Sequence, residues 1–152
     1  MAKVFIVGTR GVPNRYGGFE RLVEVLAPYL VQCGHDVTVF CEPERPGPEI
    51  QFDTWHGVHR RFIHTSGGAL GTLQYDLRSI SMIPRHSVVL LFGYGTALFQ
   101  LRLKALGIPH AVNMDGIEWQ RAKWGALARA WLRLNEFIAT RLADLLIADH
   151  PE

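Results

Sequence analysis

The chain has 152 residues, 48% of them hydrophobic and 20% charged, and a formal net charge of +2. That length suits one domain able to bury a core, and that composition excludes a disordered segment. The small net charge gives no argument for nucleic acid as a partner. Cys33 and Cys41 show neither metal nor redox spacing and are expected to be small buried residues in a reducing compartment. No signal-peptide layout opens the chain. The longest uncharged apolar stretch, residues 88–101, is broken by Gly93-Tyr94-Gly95 and is too short to span a bilayer. A cytoplasmic protein is expected.

Lys3–Val7 reads as a strand buried on both faces of a parallel sheet. Residues 8–20, GTRGVPNRYGGFE, follow it and open an amphipathic pattern of Phe19, Leu22, Val23, Leu26, Leu30 and Cys33. A Gly-rich turn from strand to helix leaves backbone N–H groups unpaired at the positive end of the helix dipole. That is an anion site, most often for phosphate. Gly8 starts this turn, Gly17 and Gly18 let a ligand approach the backbone, and Arg10 and Arg15 add positive charge. Neither the dinucleotide fingerprint nor the P-loop fits: the first glycines are spaced G-x-x-G, and Phe19-Glu20 follow Gly18. The alternative is a plain glycine-rich connection.

Pro28 should bend the first helix or loosen its last turn, and Gly34 should stop it. Asp36–Cys41 is the second strand, and residues 42–48, with three prolines, are a loop. Residues 51–55 and 58–64 form either a hairpin around His56-Gly57 or a strand and its approach. His56, His59 and His64 lack the fixed geometry of a metal site, because His59 and His64 fall on opposite strand faces. Residues 66–71 read as a Gly-rich loop, and residues 73–83 as a helix with Leu73, Leu77 and Ile80 inward, ended by Pro84.

Ser87–Phe92 is a buried strand. Thr96 can cap a helix over residues 97–106, closed by Gly107 and Pro109. His110–Met114 is a strand that leads into Asp115-Gly116. Ala126–Leu142 is a helix with Leu127, Trp131, Leu134, Ile138 and Leu142 on one face, and Leu145–Ala148 is a last strand. This alternation predicts an α/β domain with a mostly parallel sheet. Such sheets bind ligands at the carboxyl ends of their strands. The loops at residues 8–18, 93–96 and 113–118 should gather there.

Two motifs together, residues 113–125 (NMDGIEWQRAKWG) and residues 6–20 (IVGTRGVPNRYGGFE), carry a resemblance. The chain resembles the N-terminal half of bacterial family four type glycosyltransferases of GT-B fold, nearest to rhamnosyltransferase-like members of cell-surface polysaccharide assembly. The resemblance implies residues 1–152 as one Rossmann-like acceptor-side domain. It also implies a separate nucleotide-sugar-binding half, whose Glu-x7-Glu pattern does not occur in this sequence. On its own the domain is expected to be inactive. The nucleotide sugar is a substrate, and no cofactor or metal is expected.

By the same resemblance, Gly17 and Gly18 reach the donor diphosphate. Asp115 stands where the family often has His beside the reacting sugar, and retention of configuration is implied.

Chemically, glycosyl transfer develops negative charge on the leaving diphosphate and positive charge on the sugar. Backbone donors suit the first and a carboxylate the second. Asp115 is therefore the candidate catalytic residue, or else an Asp-Gly turn former. Glu118 contacts an acceptor hydroxyl or caps the following helix; Glu20 orients the Gly loop or only favours the helix start. Tyr16 and Tyr94 stack on a sugar or form walls.

Trp119, Arg121, Lys123, Trp124, Arg129 and Arg133 lie in a stretch with no acid between Glu118 and Glu136. They suit either an anionic membrane surface, useful for a lipid-linked acceptor, or a half-buried helix. Two other classes stay open: a nucleotide-cofactor domain of an oxidoreductase, and a non-catalytic α/β interaction module. The first wants an acidic residue about 20 positions past the glycines, whereas Glu42 lies 34 positions beyond Gly8.

Overall fold

A computed structural model describes residues 1–15, 17–43, 50–66, 68–114 and 116–148. Seven strands form one sheet in the order β3-β4-β2-β1-β5-β6-β7. They are β1 (Lys3–Val7), β2 (Asp36–Cys41), β3 (Ile50–Trp55), β4 (Val58–Ile63), β5 (Ser87–Phe92), β6 (His110–Met114) and β7 (Leu145–Ala148). Every pairing is parallel except β3 with β4, a hairpin at one edge. His56 (φ 47°) and Gly57 (φ 79°) make its two-residue turn, both in the left-handed region that such turns need. The protein is thus α/β and Rossmann-like, as expected. Winding runs outward from β1 through β2 and β4, then restarts at β5 and runs the other way. The switch point lies between β1 and β5.

Helix α1 (Gly18–Gln32) covers one face of the sheet. Val23 and Ala27 from α1 join Val4, Ile6, Val37, Val39 and Val58 in one cluster. Helices α2 (Gly68–Ser81) and α3 (Gln100–Ala105) cover the other face, where Tyr75, Ile80 and Leu103 meet Phe5, Val7, Phe40, Val89, Leu91 and Val112. Each fully buried Val or Leu contributes about 1.5–3 kcal/mol of hydrophobic stabilisation. Continuous apolar runs buried on both faces are what made β1, β2 and β5 readable. Helix α4 (Ala126–Leu142) packs beside α3 through Leu132 and Ala139, against Tyr94 and Ala97.

Several expectations are corrected. The 66–71 loop is partly helical: α2 begins at Gly68, and buried Gly71 lets it pass close to Thr65 and Ser66. Its inward face is Tyr75, Asp76, Ser79 and Ile80, while Leu77 is exposed. Thr96 caps nothing with its side chain. A 3-10 turn (Ala97–Phe99) precedes α3, and the Thr96 hydroxyl goes elsewhere. On α4 the buried residues are Leu132, Asn135 and Ala139, while Leu127, Trp131 and Leu134 are exposed, because the contact with Tyr94 and Ala97 sets the rotation. Cys41 is buried but Cys33, just past the end of α1, is exposed. Tyr16, Asp115 and most of the 42–48 loop lie outside the described residues.

Candidate functional site

Gly8 leaves β1 at φ +88°, and a Cβ there would run into the Phe92 carbonyl of β5. Only glycine lets the two strand ends stay this close. The following loop is fastened from several elements. Tyr75 Oη of α2 donates to the Thr9 carbonyl at 3.1 Å. The Arg10 N–H donates to Glu20 Oε1 at 2.9 Å, and the Arg10 carbonyl accepts from the Glu42 N–H at 2.9 Å. Arg60 of β4, itself paired with Asp53, donates to the Val12 carbonyl at 2.9 Å. The Asn14 N–H donates to Glu24 Oε1 at 3.1 Å. That hydrogen bond, helped by Arg21, holds the Glu24 carboxyl below its ordinary range.

Glu20 is buried and its carboxylate holds the loop backbone. Of the two readings of Glu20, orienting the loop is the one this geometry contains. Arg10 and Arg15 are exposed on the loop. Gly17 is the N-cap of α1 with extended backbone and no side-chain cap. A Cβ at Gly17 would touch only Glu20, and one at Gly18 would meet nothing within 4 Å. The space above the helix start is open, and the first free N–H groups of a 15-residue helix lie beneath it.

A cleft of about 540 Å³ opens at the switch point. Gly8 and Phe19 form one side, with Phe19 edge-on to Phe92 at 5.4 Å. Thr72, Leu73 and Asp76 of α2 form the floor side, and Gly93 to Thr96 follow from β5. Glu118, Lys123, Trp124, Trp131 and Leu132 make the opposite wall. The expected convergence of the β1 and β5 loops with the stretch after β6 is therefore present among the described residues. A wider groove of about 690 Å³ lies by the amino-terminal halves of the strands, lined by Lys3, Asp36, His59, Arg60 and Arg61 among others. Two of its basic side chains are already engaged, Arg60 with Asp53 and His59 with Asp36. Ligands of open parallel sheets bind at the other edge.

Tyr94 is buried, and its hydroxyl accepts from the Glu118 N–H at 2.7 Å, fixing the start of the far wall. The Glu118 side chain accepts from Trp124 Nε1 at 3.0 Å and pairs with Arg121 at 2.6 Å and Lys123 at 3.7 Å. It does not cap α4, whose N-cap is Gly125 without a side-chain bond. Trp131 Nε1 donates to the Gly95 carbonyl at 2.8 Å, and Trp119 Nε1 to Glu136 at 2.6 Å. Arg133 covers the Trp119 ring at 4.0 Å, and Lys123 the Trp124 ring at 4.7 Å. The three tryptophans thus have partners inside the domain. The large exposed apolar side chains of α4 are Leu127, Leu134 and Phe137, with Trp131 at the margin.

Sequence reasoning missed Asp76. It is 7% exposed and lines the cleft, and Thr96 Oγ1 donates to its Oδ2 at 2.8 Å. Burial pushes its pKa up to about 6; the Thr96 hydrogen bond pulls against that, and the Glu42 charge adds to it. The only signal in the sequence was a carboxylate four positions before Ile80, on what proves to be the inner face. Among the described residues no cluster of three His, Cys, Asp or Glu side chains is arranged to hold a metal ion. No helix there is long and apolar enough to cross a membrane.

The family described as "Domain of unknown function (DUF1972)" matches residues 1–152. The chain belongs to that family. No curated protein matches this DUF1972 chain. Among solved structures it is similar to the crystal structure of α,α-trehalose 6-phosphate synthase from Burkholderia multivorans, with a TM-score of 0.56 and 10% identity. The match covers 96% of this chain and 39% of the synthase, so the domain spans well under half of that enzyme. At this identity the likeness shows the Rossmann-like fold alone.

Proposed function

We propose that this domain is the acceptor-binding half of a glycosyltransferase. The full protein would move a sugar from a nucleotide sugar to a glycan or lipid-linked acceptor in surface polysaccharide synthesis. One observation carries the reading: the cleft at the switch point is lined by Gly8 and by Phe19 from the first turn of α1 and also by Trp124 and Trp131, so an aromatic wall lies beside the start of that helix. The backbone N–H groups beyond Gly17 and Gly18 suit a leaving diphosphate, with Arg10 and Arg15 adding charge. Phe19, Trp124 and Trp131 offer flat apolar surfaces on which sugar rings stack, with Tyr94 a buried wall residue, and Tyr16 is kept as a sugar-binding candidate on the sequence alone. Asp115 is assigned to the reacting sugar on the strength of the motif it belongs to.

The DUF1972 match spans the whole chain but names no reaction. The fold neighbour is a synthase of a sugar phosphate, which fits a sugar-handling cleft. Rhamnosyl or other hexosyl transfer is the finer form of the proposal. A lipid-linked acceptor would place the protein at the inner face of the membrane. Trp119, Arg121, Lys123, Trp124, Arg129 and Arg133, beside exposed Leu127, form the contacting surface in that case. Co-sedimentation with anionic liposomes at low salt tests this contact, and a protein left in the supernatant removes it.

The deciding experiment is to incubate the full-length native protein with a panel of nucleotide sugars and lipid-linked saccharide acceptors, and to follow nucleoside diphosphate release and product mass. Acceptor-dependent release with a product one sugar heavier is expected. Release of nothing from any donor overturns the reading.

A further inference from the structure

We propose that Asp76 is an acceptor-binding carboxylate: its Oδ1, the oxygen that Thr96 does not hold, accepts a hydrogen bond from a sugar hydroxyl seated in the cleft. This rests on the glycosyl-transfer reading and names the group that selects the acceptor.

The geometry is unusual for a residue with only a structural role. A carboxylate taken out of water is costly unless a cation or several donors replace the lost hydration. Asp76 is 7% exposed, yet among the described residues its carboxylate has one hydrogen bond, from the Thr96 hydroxyl, and no cation. Asparagine or an aliphatic residue would fill the same place on α2 without that cost. Thr96 in turn stands at the head of the Ala97–Phe99 turn without capping it, its hydroxyl committed to Asp76. Both residues line the cleft. The other acid in the cleft wall, Glu118, already serves Trp124, Arg121 and Lys123. Asp76 is the lining carboxylate with acceptor capacity left over.

A hydroxyl-bearing ligand completes this site as a neutral donor that lets the carboxylate keep its charge. The neighbouring groups agree. Glu42 raises the proton affinity of Asp76, and Thr96 lowers it. Ligand binding should therefore strengthen as pH rises through about 6. Glu118 and Lys123 face the same cleft from the far wall, and Tyr75 adjoins Asp76 on α2, so a pH effect needs a variant that isolates Asp76. Thr96→Val does so, because losing its hydrogen bond must move the midpoint to higher pH.

The test uses the full-length native protein with whichever nucleotide sugar and saccharide acceptor give turnover. Asp76→Asn should raise the acceptor KM about 10–100-fold, the worth of a charge-assisted hydrogen bond, while the donor KM stays unchanged. In Thr96→Val the pH midpoint of 1/KM for the acceptor should rise. Equal changes in both KM values, or an unchanged acceptor KM, or an unmoved midpoint, overturn the assignment of Asp76 while leaving glycosyl transfer standing. A wild-type protein that turns over no donor overturns both.

Discussion

On the β1 side of the cleft the chain is held by its backbone; on the α4 side it is held through side chains. The Thr9, Arg10, Val12 and Asn14 main-chain groups are each gripped by a different residue, from α1, β4, α2 or the end of β2. The far wall depends on indole N–H groups reaching Glu118, Glu136 and Gly95, and on cations lying over rings. A main-chain cradle has one shape. A wall of half-exposed side chains has several rotamers close in energy, so the near wall should be the stiffer and the less tolerant of substitution.

The largest expected effect breaks the near wall at its root. Gly8→Ala places a Cβ against the Phe92 carbonyl and forces a side chain to φ +88°. Overpacking and left-handed strain together predict a loss of about 3–5 kcal/mol, read by urea denaturation. A loss under about 1 kcal/mol would mean that β1 and β5 separate easily there.

Next comes Asp76, between the walls. Its carboxyl is raised to about 6 when folded, against an ordinary value of 3.8. Above both values the native state carries the cost of the buried charge, so stability falls as pH rises from about 4 to about 6 and stays low beyond. Two units correspond to about 3 kcal/mol. Asp76→Asn should remove this slope and raise stability at pH 8 by about 1–3 kcal/mol, as measured by chemical denaturation at pH 4 and pH 8. A variant less stable at pH 8 would show that the charged form is well solvated.

That residue also marks where the sequence stopped being readable. The strands β1, β2, β5 and β6 and both ends of α4 fall where apolar runs and breakers put them, because burial on both faces leaves a mark in the run itself; β7 was readable from its short apolar run although its four residues are exposed. The faces of α2 and α4 do not. Leu77 and Leu127 look like core residues and are exposed, while Asp76 and Asn135 look solvated and are buried. A helix in a mixed environment rotates to suit partners distant in sequence: Thr96 for Asp76 is 20 residues away, and Leu98, whose N–H donates to Asn135, is 37 away. Gly8, Tyr94 and Glu118, singled out because they follow strand ends, line the cleft, and Glu20, singled out because it opens a helix, bonds the Arg10 N–H. The Gly17-Gly18 pair was recognised as open backbone, and Asp115 lies outside the described residues.

The near wall can be loosened without a clash. Glu20→Ala removes the acceptor of the Arg10 N–H and leaves that part-buried connection unmade. The cost should be about 1–3 kcal/mol, with faster amide exchange at Arg10. On the far wall Trp131→Phe deletes the bond to the Gly95 carbonyl, which water can replace at this half-exposed position. About 0.5–1 kcal/mol is expected. If Trp131→Phe proves the more damaging of the two, the contrast between a stiff and a tolerant wall is wrong.

The smallest effect on stability sharpens the comparison most, because it separates what the near wall needs for folding from what it needs for a ligand. Gly18 begins α1 with nothing within 4 Å of where a Cβ would stand. Alanine there loses less backbone entropy on folding than glycine, so Gly18→Ala should be neutral or stabilising by up to about 1 kcal/mol. The same methyl group stands over the helix N–H groups, where an anion must come within hydrogen-bonding distance. If the open space serves a diphosphate, Gly18→Ala should melt no lower than the wild type and yet bind a nucleoside diphosphate more weakly by calorimetry. Unchanged affinity in a folded variant would show that the anion, if bound, sits elsewhere along the loop.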